Sequence, residues 1–308
     1  MKAHSTPQPA FQNKALVGSL CALLATLIWS GNFVVARGLG DIIPPFTLAT
    51  SRWSTATIFI LPFAAASIWR ERALLKTHIK HLVISALIGV TTFNTFIYTA
   101  AHTTDTLNLS LIATTTPAFV VLLSRFWLGE PITRAKLIGL IAAISGIVIL
   151  VTRGQLDVLL TLDFHIGDIW MLTAALLWAF YSIHLKRRPA EISQLAYLGS
   201  TFTMGTLPLI PLSLIELAPL PPLNLTLPTI SSILYIGIGA SIISYFLWSK
   251  AVTTIGPTKS SFIYYCLPAF CGIEAYLILG EAITFAHGIG FILILSGILI
   301  ATPPRFNR

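Results

Sequence analysis

The sequence predicts an all-α integral membrane protein: ten transmembrane helices arranged as two inverted five-helix repeats around a central cavity. Three observations predict it. Hydrophobic residues make up 55% of the 308 and charged residues 10%, with a mean hydropathy of +0.84, far outside the range of soluble domains. Residues 100–149 and 251–300 lie over each other without a gap, sharing roughly twenty identities over about fifty positions, a density that marks a duplicated unit. Lys and Arg collect in alternate loops, the asymmetry that orients helices in a bilayer.

The composition also excludes. The apolar runs are continuous, without the ten-residue alternation of barrel strands, so helices satisfy the backbone in lipid. Together they consume about 220 residues at roughly twenty per crossing, which leaves no room for a separate soluble domain. The net charge of +8 sits in short loops rather than in a tract, so the expected partner is the lipid bilayer and no nucleic acid is expected. Cys21, Cys266 and Cys271 fall inside apolar runs without metal or redox spacing and read as packing residues. No cofactor or metal is expected. The first apolar run is long and lacks a small-residue cleavage site, so it reads as a span rather than a signal peptide.

Taken in order, the expected spans are residues 15–36, 45–68, 80–102, 106–128, 133–152, 167–186, 192–215, 229–251, 256–279 and 283–302. One side of this arrangement collects Lys2, Lys14, Arg70, Arg72, Lys76, Lys80, Arg125, Arg134, Lys136, Lys186, Arg187, Arg188, Lys250, Lys259, Arg305 and Arg308; the other holds only Arg37 and Arg153. The excess marks the cytoplasmic side, so both termini are cytoplasmic. An odd number of spans per repeat then forces the second copy into the membrane upside down. The resulting segments are a cytoplasmic tail (1–14), a first repeat (15–152), an external linker (153–166), a second repeat (167–302) and a cytoplasmic tail (303–308).

The duplicated landmarks are Pro117-Ala118-Phe119 with Pro268-Ala269-Phe270, Gly129-Glu130 with Gly280-Glu281, Thr133 with Thr284, and Ser145-Gly146 with Ser296-Gly297. Gly139, Gly146, Gly290 and Gly297 read as close-packing positions on helices. Pro117 and Pro268 are expected to bend their helices in mid-span, and Thr133 and Thr284 to cap the helices that follow. Glu130 and Glu281 read as caps or contacts to neighbouring loops.

These residues resemble a known family. Trp29-Ser30-Gly31-Asn32-Phe33 at the end of the first span, Arg52 in the second, the spacing from Pro117 to Gly129-Glu130 and from Pro268 to Gly280-Glu281, and the closing Ser-Gly are similar to the EamA unit. Two tandem units resemble the ten-helix carriers of the drug/metabolite transporter superfamily, and the resemblance covers nearly the whole chain. It implies a carrier of small metabolites, often an exporter of amino acids or related compounds, working through a cavity between the halves in a bacterial inner membrane.

Ionisable residues inside a span are costly and face the protein interior. Arg52, about seven residues into its span, and Glu274, about five from the outer end of its own, lie on the order of 10 Å below the outer surface at 1.5 Å per residue. They are expected to form a link between the halves that exchanges for a substrate carboxylate or amine. Two other readings compete: Arg52 snorkels to the outer headgroups, or each group is satisfied by carbonyls and hydroxyls in a fixed core. Glu274 is also a candidate proton acceptor, since burial favours the neutral carboxyl. Trp29, Asn32, Asn94, Tyr98, Trp178, Tyr181, Tyr245, Trp248, Tyr264 and Tyr265 fall near mid-span rather than at the interfaces where Trp and Tyr collect. They are expected to line a substrate site, an apolar wall with a few polar groups, suited to amino acids or, through ring faces, to organic cations. Tyr264-Tyr265 replaces Ala113-Thr114 of the other copy. His81, His102, His165, His184 and His287 read as solvated or interfacial.

A membrane-embedded enzyme would need a nucleophile with a base or a metal set, and neither is found in the sequence. A channel would draw on rings of like residues from an oligomer, whereas this chain carries its own pairing and is expected to act as a monomer or weak homodimer.

Overall fold

The structure is a computed structural model that describes residues 9–39, 42–103, 109, 112–152, 154–161, 165–221, 223, 225–279 and 285–302. Its described helices of eight or more residues are α1 (Pro9–Leu39), α2 (Pro45–Arg70), α3 (Ile79–Ala101), α4 (Thr116–Leu128), α5 (Arg134–Val151), α6 (Ile166–Lys186), α7 (Gln194–Leu217), α8 (Leu227–Ile255), α9 (Pro257–Tyr264), α10 (Leu267–Leu279) and α11 (Phe285–Ala301). Among the described residues, five helical stretches are long and apolar enough to cross a membrane: Lys14–Asn32 of α1, α3, α6, α7 and α8. Two shorter apolar helices, Thr116–Leu128 and Gly288–Ala301, join them. The start of the expected fourth span, Glu281 and Thr284 lie outside the described residues.

Two of the expected continuous spans are broken. Helix α4 begins at Thr116, after a turn at Thr114-Thr115, and α10 begins at Leu267, after a turn at Tyr265-Cys266. Pro117 and Pro268 each stand second in the restarted helix, where the missing N–H costs nothing and the fixed φ favours the first turn. The expectation of a bend is therefore corrected to a break. Two further irregularities are π segments, Leu87–Thr92 inside α3 and Tyr235–Ile243 inside α8. Hydroxyls reach carbonyls five residues back at both: Thr91 to Ala86 at 3.4 Å, Ser241 to Ile236 at 2.9 Å and Ser244 to Gly239 at 3.1 Å. A hydroxyl satisfies there what the interrupted i→i−4 ladder leaves open.

The helices of the two sequence copies pair across the molecule. α5 and α11 form the most extensive contact, and glycines make it possible. A Cβ at Gly139 would lie 2.5 Å from the Gly297 carbonyl oxygen, and one at Gly146 would lie 2.6 Å from that of Gly290. This matching order makes the two helices antiparallel, with backbone against backbone. α2 and α7 are also antiparallel and are held at both ends by carboxylates. Glu216 near the end of α7 accepts from the Phe46 and Thr47 amides at 3.1 and 2.7 Å. Glu71, just past α2, accepts from the Ser193 amide at 2.8 Å. Each carboxylate occupies a helix N-terminus, where unpaired amides and the helix dipole favour negative charge. Thr133 caps α5 as expected, accepting from the Lys136 amide at 3.2 Å.

Buried apolar side chains form two clusters. The larger joins α1, α2, α3, α6, α7 and α8; the smaller lies where α5 and α11 meet Phe262, Tyr265, Cys266 and Ala269. Large apolar side chains such as Phe63, Phe126, Ile141 and Leu299 are exposed on the periphery, the surface that suits hydrocarbon rather than water.

Candidate functional site

The larger cluster has an aromatic centre. Trp29 of α1 touches Trp178 (5.2 Å between ring centroids), Trp248 (5.3 Å), Tyr245 (5.9 Å) and Tyr264 (6.1 Å). Trp178 stacks on Phe93 at 4.5 Å and meets Tyr181, Tyr245 and Trp248 at 5.2–5.7 Å. The pairs are mostly edge-on or tilted, the arrangements ring quadrupoles favour. The rings close on one another: Trp29 is 7% exposed, Trp178 2%, and Tyr245 and Trp248 1% each. Sequence reasoning expects these residues around a cavity; here they form a packed cluster with the rings closed on one another.

Around the rings runs a polar shell anchored by Arg52. The guanidinium is 1% exposed. Its Nε donates to Ser241 Oγ at 2.7 Å, Nη1 to Asn32 Oδ1 at 3.0 Å and to Tyr98 OH at 3.1 Å, and Nη2 to the Ala240 carbonyl at 2.9 Å. The same carbonyl accepts the Trp29 indole N–H at 2.8 Å. It belongs to the π segment of α8, where the disturbed ladder leaves a carbonyl available to side chains. The π segment of α3 plays the same part: the Gly89 carbonyl accepts from Tyr245 OH at 2.6 Å, and that hydroxyl accepts from Asn94 at 3.3 Å. Trp248 donates to Ser182 at 3.3 Å.

The expected ion pair between Arg52 and Glu274 is not present. Among the described residues neither has an ion-pair partner within 4.0 Å, and Glu274 instead accepts from Ser30 Oγ at 2.8 Å. Neutral oxygens hold Arg52, the arrangement that competes with the pair at the level of sequence, because a buried guanidinium needs its donors filled whatever the acceptor's charge. The two charges are tied to neighbouring residues of α1, Ser30 and Asn32. Gly31 between them faces Tyr235, whose hydroxyl would lie 2.3 Å from a Cβ there and donates to the Ile28 carbonyl at 2.8 Å.

Eleven of the twelve residues singled out in the sequence gather here. Tyr265 does not: it packs on Phe262 in the smaller cluster, one residue past Tyr264 and beyond the helix break. Sequence reasoning missed Ser30, Ser182, Ser241, Phe93 and the carbonyls of Gly89 and Ala240. The hydroxyls and glycines of the two π segments were the available signal. His81 and His184, read in the sequence as solvated or interfacial, are half-buried, and their rings stack 3.8 Å apart where α3 begins and α6 ends, with His184 Nε2 3.1 Å from the His81 carbonyl. Neighbouring Arg188, in the turn after α6, lies over the Tyr197 ring at 5.6 Å, and burial pushes its guanidinium pKa below the usual value.

The same two-unit order recurs in known proteins. The EamA-like transporter family matches residues 16–152 and 165–302. The chain belongs to this family. A relative from Archaeoglobus fulgidus named as an uncharacterized transporter is 30% identical over 92% of this chain and 96% of its own. YyaM of Bacillus subtilis, likewise named an uncharacterized transporter, is 23% identical over 92% and 95%. A solved crystal structure at 21% identity superposes with a TM-score of 0.71, covering 92% of this chain and 96% of that one, and so shares the fold. This EamA protein is thus an all-helical integral membrane protein of a transporter family, and the aromatic cluster with its polar shell lies where its two matched units meet.

Proposed function

We propose that this EamA protein carries small metabolites, amino acids or related amines, across the membrane by alternating access, in the direction of export. The observation that carries the reading is the cluster around Trp29: rings from both matched units close over a seam flanked by a buried cation, Arg52, and a carboxylate, Glu274. Such a seam offers an apolar wall with a few placed polar groups. Rocking two units of opposite orientation exposes such a seam to either side in turn. The antiparallel pairs α2 with α7 and α5 with α11 support ten spans in two inverted units, with boundaries near residues 15–152 and 167–302. The Lys and Arg distribution supports cytoplasmic termini in a bacterial inner membrane, and the self-contained pairing supports a monomer or weak homodimer.

A second reading is an organic-cation or drug exporter coupled to protons. It is favoured by one feature: Glu274 Oε2 is buried without a hydrogen-bond partner among the described residues, while Oε1 accepts from Ser30. An oxygen so placed is open to the proton that coupling would move. Counterflow in vesicles reconstituted with the purified protein tests both readings. Carriage is expected to show labelled-solute exchange that saturates. In the coupled reading Glu274→Gln abolishes transport driven by a proton gradient and leaves exchange intact. Flux that rises linearly with solute sinks the carrier reading; unchanged gradient-driven transport in Glu274→Gln sinks the coupling role.

A further inference from the structure

The two matched units place one tryptophan each at the centre of the cluster. Trp29, in Leu27-Ile28-Trp29, and Trp178, in Leu176-Leu177-Trp178, stand equally far into the matched segments 16–152 and 165–302. They meet at 5.2 Å with their planes at 87°. Each unit also offers an inward carbonyl from its π segment, Ala240 in one and Gly89 in the other. In the first case the arrangement is complete: Trp29 Nε1 donates to Ala240 at 2.8 Å. In the second it is not, because Tyr245 OH occupies the Gly89 carbonyl at 2.6 Å. Trp178 Nε1 is left buried with no hydrogen-bond partner among the described residues.

A buried indole N–H without an acceptor is disfavoured, and one that persists in a native site calls for an explanation. Its setting fits that use. Trp178 is surrounded by Trp29, Phe93, Tyr181, Tyr245 and Trp248, so rings that grip an apolar body surround one free donor. Arg52 shares the Ala240 carbonyl with Trp29, which places a positive charge beside the rings, one that favours a negative group there. Trp53 provides a contrast: its N–H is also unpartnered among the described residues and its ring lies under the Arg52 guanidinium at 5.3 Å, but its aromatic contacts are Phe202 and Tyr245 rather than the Trp29–Trp178 pair.

Resting on the carrier reading above, we propose that the Trp178 indole N–H is the donor that binds the carboxylate of the transported solute. It makes the carrier select carboxylate-bearing solutes over amines that lack the group. The broken symmetry between Trp29 and Trp178 is then the specificity device. One indole holds the units together through a backbone carbonyl, and its counterpart is kept open for the solute.

The test uses full-length protein in lipid vesicles and aromatic L-amino acids, each paired with its decarboxylated amine, phenylalanine with phenethylamine among them. Wild-type protein is expected to bind the amino acid of a pair more tightly than the amine. Trp178→Phe keeps a ring on Phe93 and removes the donor; it is expected to weaken the amino acid about tenfold, as loss of one hydrogen bond does, and to leave the amine within about twofold. Trp53→Phe is expected to change neither. If Trp178→Phe does not fold, benzothienylalanine at position 178 keeps the bicyclic shape without the N–H, and the same shift is expected. Equal loss for both members of a pair, or no loss for the amino acid, overturns the assignment. Wild-type protein that binds only the amines overturns it too, while leaving the carrier reading standing. Wild-type protein that binds no member of any pair, and shows no exchange with either, overturns both.

Discussion

Arg52 makes four hydrogen bonds that no other side chain could make together. Its Nε, Nη1 and Nη2 reach α1, α3 and α8 at once, through Asn32, Tyr98, Ser241 and the Ala240 carbonyl. Lysine has the charge but no planar fork. Arg52→Lys is therefore expected to lose at least two of the four bonds and to lower stability by about 2–4 kcal/mol, read as a lower unfolding temperature in detergent. A second residue-scale test concerns Gly31. A methyl there would overlap the Tyr235 hydroxyl at 2.3 Å but lie 3.1 Å from the ring carbon that bears it. Gly31→Ala alone is expected to be destabilised by about 1–3 kcal/mol, and adding Tyr235→Phe is expected to restore most of the loss; thermal unfolding of the single and double variants measures it. The residues at this scale were legible as types and not as partners. Trp29, Arg52 and Glu274 are conspicuous because mid-membrane polarity is expensive. Their partners are not, because Ser241 and Ala240 lie 189 and 188 positions from Arg52 and are ordinary residues for a membrane helix.

At the scale of helices, hydropathy and duplication place the elements well and their irregularities badly. The runs behind α1, α3, α6, α7 and α8 are visible as apolar stretches, and the glycines of α5 and α11 meet as helix-packing residues. Hydropathy averages over a window and does not register which carbonyl an amide chooses, so the π segments pass unseen. The prolines were visible, but a bend and a break have the same sequence mark; the turns at Thr114-Thr115 and Tyr265-Cys266 decide it. The capping of α2 and α7 was invisible because each carboxylate serves the other helix's end. Glu216→Gln is expected to lose a charge-assisted contact and cost about 1 kcal/mol. Faster amide exchange confined to the first turn of α2, with α5 unaffected, would be its mark. Gly139→Ala, whose new methyl would meet the Gly297 carbonyl backbone at 2.5 Å, is expected to cost about 1–3 kcal/mol, because the backbone has no rotamer with which to yield. Its loss of stability appears in the same unfolding measurement.

For the whole molecule, the proposed orientation rests on loop charge rather than on contacts. With Cys21, Cys266 and Cys271 replaced, single cysteines at Lys76 and Lys250 are expected to react with a membrane-impermeant maleimide only in inside-out vesicles. Labelling of either in right-side-out cells would overturn the orientation. At this scale the family and its two units were readable from the sequence, since repeated landmarks survive when partners do not. The closed state of the aromatic cluster was not readable, because rings that line an opening and rings that fill it are written with the same letters. The glycine seam of α5 and α11 carries a last consequence, for how the two copies can drift apart after duplication. Loops and rings can diverge independently in each copy, as Tyr264 and Ala113 have. Positions 139, 146, 290 and 297 cannot, because a side chain at any of them meets the backbone of its mate, and no substitution in the other copy makes that room; the oldest shared letters of the chain should be found along that line.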